Sequence, residues 1–241
     1  MRGIEDASSL LRSAERVVVF TGAGVSAESG IPTYRTGDNA FWSVEKFERY
    51  ANPRGYRAHL PDSYEWYRQR ALAVAAAKPN PAHDAIVELS AKVPQLVVVT
   101  QNVDGLHLRA GSGDVIELHG HLRTARCDAC VAEVAWAAAP PDPRCSGCGG
   151  MLRPNVVMFE EMLSETDLAR ARGAAEACDV LISAGTSNLV WPAKELPMIA
   201  RSSGASLIIV NPDLTDQRWG HRIVQLEGRA GDLLPRIVRG L

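Results

Sequence analysis

The chain lacks any apolar run approaching the roughly 18 residues of a membrane span; its longest are short, such as Arg16 to Phe20. Its first residues also lack the unbroken apolar core of a secretion signal, because Glu5, Asp6, Arg12, Glu15 and Arg16 interrupt them. Cytoplasmic residence is the expectation, with no membrane partner. No excess of one charge is present: 26 Lys plus Arg stand against 28 Asp plus Glu, a net charge of -2. Direct nucleic acid binding is therefore not expected, since contacts to phosphate leave a strongly basic footprint. Lysine is scarce, with Lys46, Lys78, Lys92 and Lys194 the whole set, so most positive charge is arginine. Internal repeats and low-complexity tracts are absent. What remains is an ordinary globular composition, 46% hydrophobic over 241 residues, enough for one large domain or one domain with a small module.

Cysteines are few, yet four of the five form two C-x-x-C knuckles, Cys127–Cys130 and Cys145–Cys148. Each knuckle turns two sulfurs toward one point, and tetrahedral zinc needs four. One zinc ion bound by Cys127, Cys130, Cys145 and Cys148 is expected, with a pair of redox dithiols as the competing reading. Four thiolates leave no position for water, so the ion would be structural. Cys178, alone beside an expected strand, reads as a buried apolar residue.

Short apolar runs at residues 17–20, 96–99, 115–118, 180–183, 207–210 and 223–226 suit strands buried on both faces. Helical patterns at about 6–15, 81–91, 164–177 and 192–201 alternate with them, and Ser164-Glu-Thr-Asp167 resembles a capping box. The pattern predicts an α/β fold, a Rossmann-like parallel sheet wound on both faces. Two stretches break the alternation: an aromatic and proline-rich segment after Ile31, and the cysteine module after Arg123. A small lobe inserted in a larger one follows. The divisions expected are 1–30, 81–122 and 155–241 for the large domain, 31–80 for a cofactor loop and helical insertion, and 123–154 for the zinc module.

Gly22-Ala23-Gly24-Val25-Ser26-Ala27 follows the first strand and fits G-x-G-x-x-G/A, which implies a dinucleotide. The acid usually found about 20 residues later is missing, which argues against an ordinary nicotinamide dehydrogenase. Three further strand ends carry polar groups: Thr100-Gln-Asn-Val-Asp-Gly-Leu-His107, His119-Gly-His121 and Gly185-Thr-Ser187, with Asn211-Pro-Asp213 after the last core strand. In an open parallel sheet such groups converge on one crevice.

Taken together in order, GAGVSAESGIPTYR at 22–35, PNPAH at 79–83, TQNVDGLH at 100–107, LHG at 118–120, the paired cysteines, GTS at 185–187 and VNP at 210–212 resemble the sirtuins, NAD-dependent protein-lysine deacylases. The resemblance covers nearly the whole chain. It implies NAD as cosubstrate and acyl-lysine side chains of other proteins as partners, meeting in a cleft between the two lobes. His119 corresponds to the catalytic base, which takes a proton from a ribose hydroxyl, a task suited to an imidazole with a pKa near ~6.5. Gly22, Ala23, Gly24 and Ser26 would hold the phosphates, with Tyr34 by the nicotinamide exit and Arg35 on the ribose-phosphate side. Gln101 would contact the ribose, and Asn102 and Asp104 the nicotinamide carboxamide. Gly185, Thr186, Ser187, Asn211 and Ala230 would take the adenosine half. His121 and His107 are expected to be structural, and His83 to open a helix.

Tyr67 and Arg70 are spaced i, i+3 and share one face if helical. A guanidinium fork binds a terminal carboxylate through two bonds, and a phenol adds a donor. The pair resembles the Tyr-x-x-Arg signature of sirtuins that remove succinyl and malonyl groups, and Ala51 falls at their small pocket residue. Two positions depart from the family: Tyr34 stands for the usual phenylalanine, and Glu160 for the usual glycine of Phe-Gly-Glu, where it is expected to reshape peptide binding or impose non-glycine backbone angles. The alternatives to a deacylase are a protein ADP-ribosyltransferase working in the same cleft, an NAD or ADP-ribose sensor without turnover, and a zinc-ribbon nucleic-acid reader.

Overall fold

The computed structural model describes residues 2–33, 44–214 and 222–241. Its strands are Arg16–Thr21 (β1), Gln95–Thr100 (β2), Val115–Glu117 (β3), Gly120–Cys127 (β4), Glu133–Ala135 (β5), Leu152–Val156 (β6), Val180–Ala184 (β7), Ser206–Asn211 (β8) and Ile223–Glu227 (β9). Its α-helices are Arg2–Arg12 (α1), Ala23–Ser26 (α2), Val44–Tyr50 (α3), Pro53–Ala58 (α4), Asp62–Ala76 (α5), Pro81–Ser90 (α6), Leu106–Ala110 (α7), Glu165–Ala177 (α8), Leu196–Ser202 (α9) and Ala230–Arg239 (α10). No helix among the described residues is long and apolar enough to cross a membrane.

Six strands form one parallel sheet in the order β3-β2-β1-β7-β8-β9. Alternate side chains of each strand leave opposite faces, so a continuous apolar run feeds two cores. Val17 and Val19 of β1 pack with α1, α6 and α10 through Leu11, Ile86 and Ile237. Val18 and Phe20 pack on the other face with Ala171 and Ala175 of α8 and Leu196 and Ala200 of α9. The order reverses between β1 and β7, which places a topological switch point where the glycine motif lies.

The smaller lobe has an antiparallel sheet, β5-β4-β6, and a core of its own. Tyr56, Tyr64, Tyr67 and Ala71 of the helical segment bury against Leu122, Ala125, Trp136, Leu152 and Val156. Two segments far apart in sequence therefore share one hydrophobic interior, and neither buries its apolar face without the other.

Two expected helices shift, and one cap is simpler than its sequence suggests. The first helix ends at Arg12 rather than near Glu15, because the Asp179 carboxylate accepts from the backbone N–H groups of Glu15 (2.9 Å) and Arg16 (2.8 Å) and pulls the chain into β1. Ser164 caps α8 by accepting from Asp167 N at 3.2 Å, which is half of a capping box. The helix expected at 192–201 is a 3-10 turn, Ala193–Glu195, followed by α9, with Pro197 in the first turn, where its missing N–H costs nothing.

Candidate active site

Beyond Thr21 the chain turns at Gly22 into the short α2, and beyond Ala184 it turns at Gly185, whose φ is 58°. The two turns interlock: Gly22 N donates to Ala184 O at 3.2 Å and Gly24 N to Gly185 O at 2.8 Å. A Cβ on Gly24 would lie 2.8 Å from the Gly185 Cα, which leaves no room for a side chain. Bare backbone therefore faces the crevice, the condition for close approach of a pyrophosphate.

A buried polar network lies beneath this turn. Ser26 Oγ donates to Asp104 Oδ2 at 2.7 Å, and Asn102 Nδ2 donates to Gly22 O and Ser26 Oγ, both at 3.1 Å. Leu106 N donates to Asp104 Oδ1 at 2.9 Å. Thr21 Oγ1 donates to Thr100 Oγ1 (2.8 Å), so its oxygen accepts from His107 Nε2 at 2.9 Å. Burial drives the His107 pKa down to about 3, with nearby His83 adding to the effect; the two rings are 4.8 Å apart. His83, in the first turn of α6, accepts at Nδ1 from Asn80 N, and burial lowers its pKa too, despite Asp104 and Asp84. Both histidines are neutral at neutral pH and serve the framework.

His119 sits between β3 and β4. Its Nδ1 donates to Gln101 O at 3.0 Å, which fixes the tautomer and leaves Nε2 as the acceptor. Burial lowers its pKa; the Gln101 carbonyl, which favours the protonated ring, opposes this only in part. His119 O accepts in turn from Val157 N at 2.9 Å, tying the histidine to the opposite lobe. Gln101 Nε2 donates to Thr186 Oγ1 at 2.8 Å across the strand tips.

The facing wall comes from the smaller lobe. Tyr67 and Arg70 lie on one face of α5; the Arg70 guanidinium stands 5.4 Å from the centre of the Trp66 ring, and Trp66 stacks on Tyr50 at 4.9 Å. The Tyr67 hydroxyl donates to Tyr50 O at 3.0 Å, so the phenol expected to meet a ligand is engaged by backbone here. Ala51 O accepts from Phe159 N at 2.9 Å. The stretch after β6 is held by a charge clamp: Arg153, 3% exposed, donates to both Glu161 oxygens at 2.6 and 2.7 Å, and Glu161 also accepts from Met158 N at 2.8 Å. Burial would lower the Arg153 pKa, but the bonds to Glu161 and its charge, with Asp128 and Tyr67 adding, together outweigh it and the net direction is up. Burial likewise opposes ionisation of Glu161, yet Arg153 holds its carboxyl below the usual range. Glu160, between clamp and Phe159, has φ 72°: the glutamate has taken up the glycine conformation rather than abolished it.

A cleft of about 1940 Å³ runs between these walls. His119, Gly22, Ala23, Gly24, Gln101, Asn102, Gly185, Thr186, Ser187, Asn211, Ala51, Tyr67 and Arg70 all line it. Ser26 and Asp104 do not; they are buried below the glycine turn and spend their polar atoms on one another and on Asn102 and Leu106. Ala230 is buried at the start of α10, and its neighbour Arg229 reaches the cleft instead. His121 is half-buried off the cleft, with burial lowering its pKa. Tyr34 and Arg35 lie outside the described residues. Sequence reading overlooked Arg153 and the role of Glu161, because residues eight apart carry no spacing signal for an ion pair outside a helix.

The four cysteine sulfurs lie within 4.8 Å of one another, with Cys127–Cys148 at 3.5 Å and Cys130–Cys145 at 3.7 Å. Zinc–sulfur bonds of about 2.3 Å set tetrahedral edges near ~3.8 Å, close to the two shorter separations, so the four sulfurs suit one zinc ion. Ala129 N and Gly150 N each donate to a sulfur at 3.4 Å, as thiolates require. None of the four sulfurs reaches the cleft, which suits a structural ion.

Comparison with known proteins gives consistent matches. The Sir2 family model matches residues 22–192. An NAD-dependent protein deacylase of Methylococcus capsulatus is 45% identical, over 96% of this chain and 94% of the relative. Among solved structures, a Sir2 homologue variant in complex with ADP-ribose superposes with a TM-score of 0.90 at 41% identity, covering 97% of this chain and 94% of that one. A further Sir2 homologue variant, bound to 2′-O-acetyl ADP-ribose, gives a TM-score of 0.88 at 42% identity, covering 96% and 94%.

Proposed function

The chain belongs to the Sir2 family, and on that premise we propose that it is an NAD-dependent protein-lysine deacylase that removes acidic acyl groups, succinyl and malonyl, in preference to acetyl. The observation that carries the reading is the placement of His119, its Nδ1 tied to Gln101 O, in one cleft with the glycine turn on one side and with Tyr67 and Arg70 on the other. NAD, when bound, supplies an electrophilic ribose carbon that gives up nicotinamide and accepts the acyl oxygen. His119 Nε2 is the acceptor for a ribose hydroxyl proton, and the lowered pKa keeps it unprotonated at neutral pH. The backbone at Gly22, Ala23 and Gly24 takes the phosphates, and Gly185, Thr186, Ser187 and Asn211 the adenosine half. With Nδ2 donating inward, Asn102 offers its amide oxygen to the nicotinamide carboxamide. Ser26 and Asp104 act through Asn102 as positioning residues.

Arg70, its guanidinium packed on Trp66, presents a fork for a terminal carboxylate, and Ala51 leaves room for the acyl chain. The Tyr67 hydroxyl joins by rotating from the Tyr50 carbonyl. Four thiolates on one ion suit a reducing cytoplasm, the compartment this reading assumes.

Incubation with NAD and matched acetyl-, malonyl- and succinyl-lysine peptides, following nicotinamide release and peptide mass, tests the proposal. Release with loss of acyl mass is expected; release without it would mean ADP-ribosyl transfer, and no release a sensor. His119→Tyr should abolish turnover with the far-UV circular dichroism retained. Arg70→Met should depress desuccinylation roughly 10-fold or more beyond its effect on deacetylation, the size of a lost charged hydrogen bond; equal losses would remove the acidic-acyl preference. Because burial lowers the His119 pKa, the acid limb of kcat/KM should fall below pH 6.5, the ordinary histidine value; a limb above it that persists in His119→Tyr residual turnover would belong to another group.

A further inference from the structure

Resting on the deacylase reading, the geometry points to Glu160 as a determinant of substrate sequence: its carboxylate receives a cationic side chain, arginine before lysine, that neighbours the acyl-lysine in the target protein. At φ 72° a residue with a Cβ is strained, and only glycine sits there freely. Such strain survives where the flanks dictate it and concentrates at functional sites. Here both flanks are pinned, Phe159 by its bond to Ala51 O at 2.9 Å and Glu161 by its clamp to Arg153. Packing does not reward a glutamate at this position, because its side chain is 60% exposed. Its ionic contact, Arg54 at 3.8 Å, is itself 85% exposed and so weak in water.

Position is what the carboxylate has. It lines the lip of the cleft in a run with Phe159 and Met162, both large apolar side chains open to solvent. The Phe159 ring packs on Phe47 at 4.8 Å yet stays part exposed, and an apolar ring in the residue next to a carboxylate suits arginine, whose long stem and flat head can cover apolar surface while the fork meets the oxygens. The neighbouring Glu161 cannot serve, since Arg153 occupies both of its oxygens.

The test uses the full chain, NAD and sets of acyl-lysine peptides identical except for one residue beside the modified lysine: arginine, alanine or glutamate. The readout is the arginine-to-glutamate ratio of kcat/KM within each protein, which cancels any difference in folded fraction. A ratio of roughly fivefold is expected, carried by KM, falling toward one in Glu160→Gln, inverting in Glu160→Lys, and shrinking as salt is raised. Arg54→Ala should enlarge it by removing the competing cation. A ratio that is the same in the parent protein and in Glu160→Gln overturns the inference while leaving deacylation intact. Failure to turn over any acyl peptide would instead remove the deacylase reading itself.

Discussion

The two walls of the cleft are built by different means. On the large-lobe side the floor is backbone, two strand-end turns so closely interlocked that neither Gly22 nor Gly24 could carry a side chain, ringed by polar strand-end side chains such as His119, Gln101 and Asn102 and underlain by Ser26 and Asp104. On the small-lobe side the surface is side chains from separate segments, α5, Ala51 and the stretch after β6, held in place by charge and by a shared aromatic core. A ligand met by backbone is read for shape and phosphate charge, features common to every turnover. A ligand met by side chains can be read for chemistry, and exchanging one residue changes the reading. On the proposed function, cosubstrate binding falls to the first wall and substrate choice to the second.

Removing the metal should break the second wall and spare the first. Structural zinc contributes on the order of 10 kcal/mol or more to small folds, and the cysteine module shares its interior with α4 and α5. Chelation should therefore raise hydrogen exchange in β4, β6, α4 and α5 well before the strands of the six-stranded sheet. Uniform exchange throughout would show that the lobes do not differ in this way. A smaller effect is expected from Arg153→Met, which leaves the Glu161 carboxylate without its cation; a fully buried pair broken from one side costs about 3–5 kcal/mol, and less is expected here because Glu161 is 23% exposed and keeps its bond from Met158 N. Denaturant unfolding should show that loss, and Arg153→Met with Glu161→Gln should recover part of it. If the double variant is no better than the single, the clamp is not an electrostatic unit.

What the sequence disclosed divides along the same line. The strand runs, the glycine turn, the cysteine knuckles and the polar strand ends are local patterns, each set by a few adjacent residues, and each lies in the fold where its pattern places it. The clamp was not legible, because Arg153 and Glu161 meet only once the chain has left β6 and folded back. Ser26 and Asp104 stand inside motifs that the resemblance ties to the ligand, and only the fold shows that their hydroxyl and carboxylate bond to each other at 2.7 Å. The Tyr67 hydroxyl shows the same thing: spacing places it on the right face of α5, and only the fold reveals that the Tyr50 carbonyl accepts its proton.

On the first wall, Gly24→Ala should cost about 1–3 kcal/mol in stability, the range for forcing a methyl into a filled site, since its Cβ would meet Gly185 backbone at 2.8 Å. Calorimetric titration with ADP-ribose should show weakened binding, whereas the ratio of succinyl to acetyl turnover should not move. A shift in that ratio would mean that the walls are not separable in function.

The smallest expected effect has the opposite sign and lies on the second wall. Replacing Glu160 by glycine removes a side chain from a left-handed backbone, a relief of about 1–2 kcal/mol for an ordinary residue. Glycine also loosens the unfolded chain, which takes back about 0.4–1 kcal/mol. Glu160→Gly should thus raise stability by up to about 1.6 kcal/mol, read as a higher urea midpoint at unchanged slope. Glu160→Asn separates the two contributions, because asparagine tolerates the left-handed region without glycine's freedom when unfolded. It should stabilise at least as well as glycine if backbone strain is the cause. Should both variants be less stable than the parent, the pair with Arg54 at 3.8 Å is worth more than its exposure implies, and residue 160 belongs with the structural charges of the clamp rather than with a lip open to substrate.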